Sequence, residues 1–145
     1  MSSSASSGTD QGTELFIALG NPLCRDDGVA ARVLELLQPA ASLTMIQATP
    51  ELAAEIAGAR RVVFIDACAD SEHVRLDPLP DHSSTALTHS IDPGTIVALS
   101  RRLYGFAGEA WLCRVPGIDF TVGEGLSETG EVNAELAVEL LRRPQ

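Results

Sequence analysis

The sequence contains no lysine. All ten of its basic residues are arginine, and the chain of 145 residues has 20 acidic residues. The absence of lysine excludes reactions that need a Schiff base or a lysine general base, and phosphate-binding loops that rely on a lysine. The resulting net charge of -10 argues against nucleic acid or an anionic membrane surface as a partner, because binding to phosphates relies on clustered basic residues.

Cysteines and long apolar segments are also scarce. The three cysteines, Cys24, Cys68 and Cys113, include no CxxC pair, which argues against a disulfide framework and against a structural zinc knuckle. No segment is long and apolar enough to cross a bilayer, and residues 1–14 lack the basic and apolar regions of a signal peptide. We therefore expect a cytoplasmic protein with a disordered tail over residues 1–14 and a single domain over residues 15–145.

Strands and helices alternate along the predicted domain. Apolar runs predict strands over residues 15–19, 43–47, 62–65 and 110–115, with a less regular strand over residues 73–79. Apolar spacing and capping residues predict helices over residues 28–38, 51–57, 93–104 and 131–143. This alternation indicates an α/β fold: a three-layer α/β/α sandwich around a mostly parallel, twisted sheet of about five strands. Residues 80–91 contain no clear element, and loops of that length are often functional.

Carboxylates follow two of the apolar strands. After the first strand, Asp26 and Asp27 stand at the start of a helix, where one aspartate is well explained as an N-cap and the second is available for another role. Asp66 directly follows the strand at residues 62–65, so it either caps a turn or faces a partner that offsets its desolvation. If these two strands are parallel neighbours, Asp27 and Asp66 meet at the carboxyl edge of the sheet, where open α/β sheets bind ligands.

A metal ion or a shared proton would relieve the repulsion between two such carboxylates. Of the three histidines, His89 lies three residues before the predicted helix at Asp92, which defines the position of its backbone. A lone histidine in a loop is usually a surface residue. Together, however, Asp27, Asp66 and His89 offer two oxygens and one imidazole, a set that suits zinc, nickel or iron with open positions.

Thiol chemistry is an alternative use of the same region. Cys24 and Cys68 border the predicted crevice, so thiolate ligation or redox chemistry is possible there. Arg25 is the only obvious cation that could activate either thiol. A free cysteine is more often a small buried hydrophobe.

The segment LGNPLCRDDG at residues 19–28 resembles the opening signature of the hydrogenase maturation proteases. VVFIDA at residues 62–67 is similar to the family's third-strand motif, Thr88 and His89 ahead of the helix are similar to its histidine segment, and residues 103–105 and 117–127 resemble its C-terminal region. The resemblance covers about residues 15–141. Ala18 stands where the family usually has glycine, and residues 47–52 replace a glycine-rich turn that many members have. Because that turn belongs to the substrate-facing surface, the resemblance does not identify which hydrogenase is processed.

Members of this family are endopeptidases that remove a C-terminal extension from the precursor large subunit of nickel–iron hydrogenase after nickel insertion. The resemblance implies that Asp27, Asp66 and His89 are the catalytic and metal-contacting residues, and that Asn21 and Gly28 shape the first loop. It implies nickel carried by the substrate, no organic cofactor, and the hydrogenase large-subunit precursor as partner. We expect the protein to be a monomer.

Two other functions compete with this interpretation. A non-catalytic, nickel-sensing maturation chaperone would bind the same precursor through the same three residues and would cleave nothing. A phosphate- or nucleotide-binding module would use the loop at residues 20–28 at a helix N-terminus. Asp26 and Asp27 count against that module because they put negative charge where the phosphate would lie, and the loop does not match GxGxxG.

Overall fold

The computed structural model describes residues 12–80 and 91–143, and these form a five-stranded sheet. The strand order is β2-β1-β3-β5-β4. Four strands are parallel, and β4 at one edge runs antiparallel to β5. The predicted α/β architecture with a mostly parallel sheet is confirmed. The strands are β1 (Glu14–Leu19), β2 (Ser42–Met45), β3 (Arg61–Cys68), β4 (Arg75–Pro78) and β5 (Glu109–Pro116).

Helices cover both faces of this sheet. They are α1 (Val29–Leu37), α2 (Leu52–Glu55), α3 (Pro93–Tyr104) and α4 (Glu128–Arg142), and a 3-10 turn (Arg25–Gly28) leads into α1. Because side chains alternate along a strand, Val63 and Ile65 of β3 pack under α1 and α4, whereas Val62 and Phe64 pack under α2 and α3. Among the described residues, no helix is both long and apolar enough to span a membrane.

Capping residues determine where the two longest helices begin. The Asp92 side chain accepts a hydrogen bond of 2.8 Å from the Thr95 amide, and Pro93 follows as the first helical residue, as predicted for α3. In contrast, α4 begins three residues before the predicted position. The Ser127 hydroxyl caps it by accepting a hydrogen bond of 3.0 Å from the Gly130 amide, so a glycine that resembles a loop residue lies inside the helix.

Several predicted boundaries differ from the structure. β3 extends to Cys68 because it pairs with β5 along its whole length, so Asp66 lies inside the strand and not after it. β1 starts at Glu14, and the preceding Thr13 carbonyl accepts a hydrogen bond of 2.9 Å from the Arg60 amide. The first strand therefore begins at residue 14, within the range predicted as a tail; residues 1–11 lie outside the described residues. α2 is also shorter than predicted, at four residues.

Ile65 offers a direct test of the central strand. It is fully buried on β3, between β1 and β5, so Ile65→Asp introduces a charge with no partner. We expect this variant to be insoluble or unfolded by circular dichroism and size-exclusion chromatography. Val132→Asp, at a site on α4 that is more than half exposed, is the control and is expected to fold. A soluble, cooperatively folding Ile65→Asp protein would refute the strand assignment.

Candidate active site at the carboxyl edge of the sheet

The loop that follows β1, residues 20–28, holds Asp27 against the end of the strand. Gly20 has a φ of 141°, and a Cβ on this residue would collide with the carbonyl oxygen of Asp27. The Asn21 amide donates a hydrogen bond of 2.7 Å to Oδ2 of Asp27, and the Asn21 side chain accepts one of 3.0 Å from the Leu23 amide. This first loop therefore positions the Asp27 carboxylate through backbone contacts.

Asp66 lies beside this loop on the neighbouring strand. The parallel register pairs Asp66 of β3 with Leu19, the last residue of β1. Burial raises the pKa of Asp66 to about 6; the negative charge of Asp27 contributes to the increase, while the Ala67 amide and Arg114 oppose it. The structure thus brings Asp27 and Asp66 together at the carboxyl edge of the sheet.

The third residue of the expected set, His89, lies outside the described residues. Within residues 12–80 and 91–143, no three histidine, cysteine, aspartate or glutamate side chains are arranged to hold a metal ion. Of the expected set, the structure therefore describes Asp27 and Asp66.

Asp26 has a structural role that the sequence did not reveal. Its carboxylate is fully buried and accepts four hydrogen bonds of 2.7–3.0 Å, from the amides of Ile118, Asp119 and Ser127 and from the Ser127 hydroxyl. Burial opposes ionisation, but these hydrogen bonds outweigh it and hold the pKa of Asp26 below its ordinary value. Asp26 thus connects the first loop to a second loop, residues 117–127.

The expectation that one of the two adjacent aspartates caps a helix is wrong. Neither the 3-10 turn nor α1 has a side-chain cap, because Asp26 points into the second loop and Asp27 binds the Asn21 amide. The signal for this role lay in distant glycines. A Cβ at Gly117 would come within 2.6 Å of the Asp26 Cβ, and one at Gly130 would collide with its carboxylate.

Backbone hydrogen bonds join the two loops along their length. The Asp26 amide donates to the Asp119 carbonyl at 2.8 Å, the Gly123 amide donates to the Leu23 carbonyl at 2.8 Å, and the Arg25 amide donates to the Gly123 carbonyl at 3.1 Å. The Arg25 guanidinium also pairs with the Asp119 carboxylate at 3.4 Å. The second loop therefore lies at the same edge of the sheet as Asp27 and Asp66.

Cys68 and Cys113 do not have the properties of reactive thiols. Burial raises the pKa of Cys113 to about 12, and burial together with the charge of Asp70 raises the pKa of Cys68. Both side chains are therefore protonated at neutral pH, which disfavours thiolate chemistry. Cys24 is a free, half-buried residue whose backbone pairs with Gly123.

An open cavity of about 290 Å³ lies between β5 and the first turn of α3. Its walls include Leu79, Pro93 and Leu112, and Arg114 lines it as well. Arg114 is the register partner of Asp66 on β5. The cavity thus combines apolar walls with a cation next to the carboxylate pair.

The two adjacent aspartates are expected to respond differently to substitution. Asp26→Ala leaves four hydrogen-bond donors without their acceptor, and we expect the free energy of unfolding to fall by about 3–5 kcal/mol. Asp27→Ala removes one hydrogen bond at a partly exposed site, and we expect a loss below about 1.5 kcal/mol. Denaturant unfolding of both variants measures the difference. Equal losses would contradict the structural role of Asp26.

The raised pKa of Asp66 predicts a pH-dependent stability. Between the ordinary pKa of 3.8 and the folded value of about 6, the folded state binds more protons than the unfolded state, so stability falls as the pH rises through this interval. Asp66→Asn removes this penalty. We expect it to raise the free energy of unfolding by about 1–2 kcal/mol near neutral pH and to leave it unchanged below about pH 4. The expected gain is this small because the side chain is partly exposed to solvent.

Denaturant midpoints measured on either side of that interval test this prediction. Glu139→Gln, which changes an exposed carboxylate on α4, is the control and should leave the pH dependence unaltered. A destabilised Asp66→Asn protein near neutral pH would show that the charged form of Asp66 is favoured in the folded state.

Comparison with known proteins gives matches at the level of structure. No protein-family model matches the chain, and no curated protein matches its sequence. The [NiFe] hydrogenase maturation protease HycI from Thermococcus kodakarensis KOD1 is 23% identical with a TM-score of 0.67, over 90% of each chain. HybD from the same species is 22% identical with a TM-score of 0.66, over 89% of this chain and 96% of that one. The hydrogenase maturating endopeptidase HybD from E. coli is 19% identical with a TM-score of 0.66, over 89% of each chain. This chain therefore has the fold of the hydrogenase maturation proteases.

Proposed function

We propose that this protein is an endopeptidase that removes the C-terminal extension of a nickel–iron hydrogenase large-subunit precursor after nickel insertion. The observation that carries the proposal is the pair of carboxylates, Asp27 and Asp66, at the carboxyl edge of a sheet with the fold of the hydrogenase maturation proteases. The fold supports the general activity. The resemblance of residues 19–28 and 62–67 to the family's motifs supports the choice of substrate.

In this proposal the nickel belongs to the substrate. Asp27 and Asp66 offer carboxylate oxygens to it, and His89, which lies outside the described residues, enters on the sequence alone as the nitrogen ligand. A metal ion held at the scissile bond polarises the carbonyl or lowers the pKa of a bound water. One of the two carboxylates then accepts a proton from that water.

The surroundings of the carboxylate pair suit a peptide substrate. The cavity beside Asp66 is open and has apolar walls, so it offers space for a substrate side chain next to the scissile bond.

The proposed enzyme acts as a cytoplasmic monomer, and its free cysteines are compatible with a reducing compartment.

A processing assay tests this function. The purified protein is mixed with hydrogenase large-subunit precursors of its own organism, with and without nickel, and C-terminal truncation is followed by mass spectrometry. We expect cleavage of the nickel-loaded form alone. Asp27→Asn and His89→Ala are expected to abolish cleavage because they remove proposed ligands, whereas Glu139→Gln on the exposed side of α4 should cleave normally.

Each other outcome has a distinct meaning. Binding of the loaded precursor without truncation would favour the maturation chaperone. Cleavage by Asp27→Asn and His89→Ala at the wild-type rate would refute the assignment of these residues. Neither binding nor cleavage of any of these precursors would refute the proposed function.

A further inference from the structure

Three large aliphatic side chains are exposed on the two loops that border the carboxylate pair. Leu23 is 60% exposed, Ile118 68% and Val122 87%. Single exposed apolar residues are common on protein surfaces, whereas a group of them often marks an interaction site. We refer to Leu23, Ile118 and Val122 as the rim patch.

Hydrogen bonds between the loops hold the parts of the rim patch close to one another. Val122 immediately precedes Gly123, whose amide donates a hydrogen bond of 2.8 Å to the Leu23 carbonyl. The Ile118 amide donates one of 2.8 Å to the Asp26 carboxylate, three residues after Leu23. Asp27 follows Asp26 directly in the chain, so the rim patch and the candidate active site share the first loop.

The loops that carry the rim patch are held in one shape. The buried Asp26 carboxylate accepts four hydrogen bonds from the second loop and the cap of α4, and the Arg25–Asp119 pair adds a further link at 3.4 Å. A surface that is already ordered loses less conformational entropy when a partner binds. Exposed aliphatic groups on such a surface can bury their area against a protein without a large ordering cost.

We propose that the rim patch is the docking surface for the hydrogenase large-subunit precursor, which it contacts beside the cleavage site. This inference rests on the proposed function. The occupant follows from continuity: a protein that delivers a peptide segment to Asp27 and Asp66 lies next to the first loop, which also carries Leu23. The patch offers hydrocarbon for that contact, and the nearby Arg25 and Asp119 charges are paired with each other.

The double variant Leu23→Ser/Val122→Ser tests the inference. The two substitutions remove apolar area that the precursor would bury, so we expect the affinity for the nickel-loaded precursor, measured by biolayer interferometry, to fall at least tenfold. In the processing assay the larger part of the loss should appear in KM and not in kcat.

The control variant is Leu103→Ser. Leu103 is 66% exposed and lies near the end of α3. Arg101, two residues earlier, donates a hydrogen bond to the Gly108 carbonyl just before β5 begins. Leu103 therefore lies near the amino-terminal ends of the strands, away from the candidate active site at their carboxyl ends. We expect the Leu103→Ser protein to bind and cleave the precursor as the wild type does.

Val122→Ser alone is the second variant if the double variant fails to fold, because so exposed a side chain contributes little to the core.

The outcomes separate this inference from the function on which it rests. Normal binding and cleavage by a folded rim-patch variant, alongside an active wild type, would overturn the inference and leave the proposed function intact. A wild type that neither binds nor cleaves would overturn both. A wild-type dimer that the double variant converts to monomer, seen by sedimentation velocity, would show that the patch covers a second copy and would also overturn the inference.

Discussion

The buried carboxylate of Asp26 is the interaction on which the candidate site depends. It joins two segments that are more than ninety residues apart in the sequence, and every hydrogen bond that it accepts comes from the second loop or from the cap of α4. An ionised group in a buried position is stable only when such donors surround it. This one residue therefore links the second loop and the start of α4 to the backbone that leads into Asp27.

Asp26 and Asp27 illustrate how adjacent residues of one type acquire opposite roles. In a 3-10 turn, neighbouring side chains point about 120° apart, so one carboxylate faces the protein interior while the other faces the edge of the sheet. The pKa of the interior carboxylate is lowered because its hydrogen bonds together outweigh the effect of burial. Asp66, by contrast, is partly buried next to a second negative charge, and its pKa is raised. Groups perturbed in this way are typical of functional sites.

The parallel sheet explains why the carboxylates meet at all. Consecutive parallel strands end at the same edge, and the register of β1 with β3 aligns Leu19 with Asp66. Charge at this edge is costly for the fold, and the two apolar clusters on the faces of the sheet offset that cost. The same edge carries the cavity near Asp66 and the loops of the rim patch, so the described features on which the proposed function rests lie at one end of the sheet.

The amino-acid sequence by itself determined the α/β class, the mostly parallel sheet and the ends of α3, because these depend on local patterns: apolar periodicity, an Asp-Pro cap and a terminal glycine. It also singled out Asp27 and Asp66, although Asp66 lies inside β3 and not after it. Only the tertiary structure decided what Asp26 does, where α4 begins and how far β3 extends. Those features depend on partners that are distant along the chain: the amides of the second loop, Ser127 and the whole length of β5. A pattern read along one segment contains no information about which distant donor or strand will lie beside it.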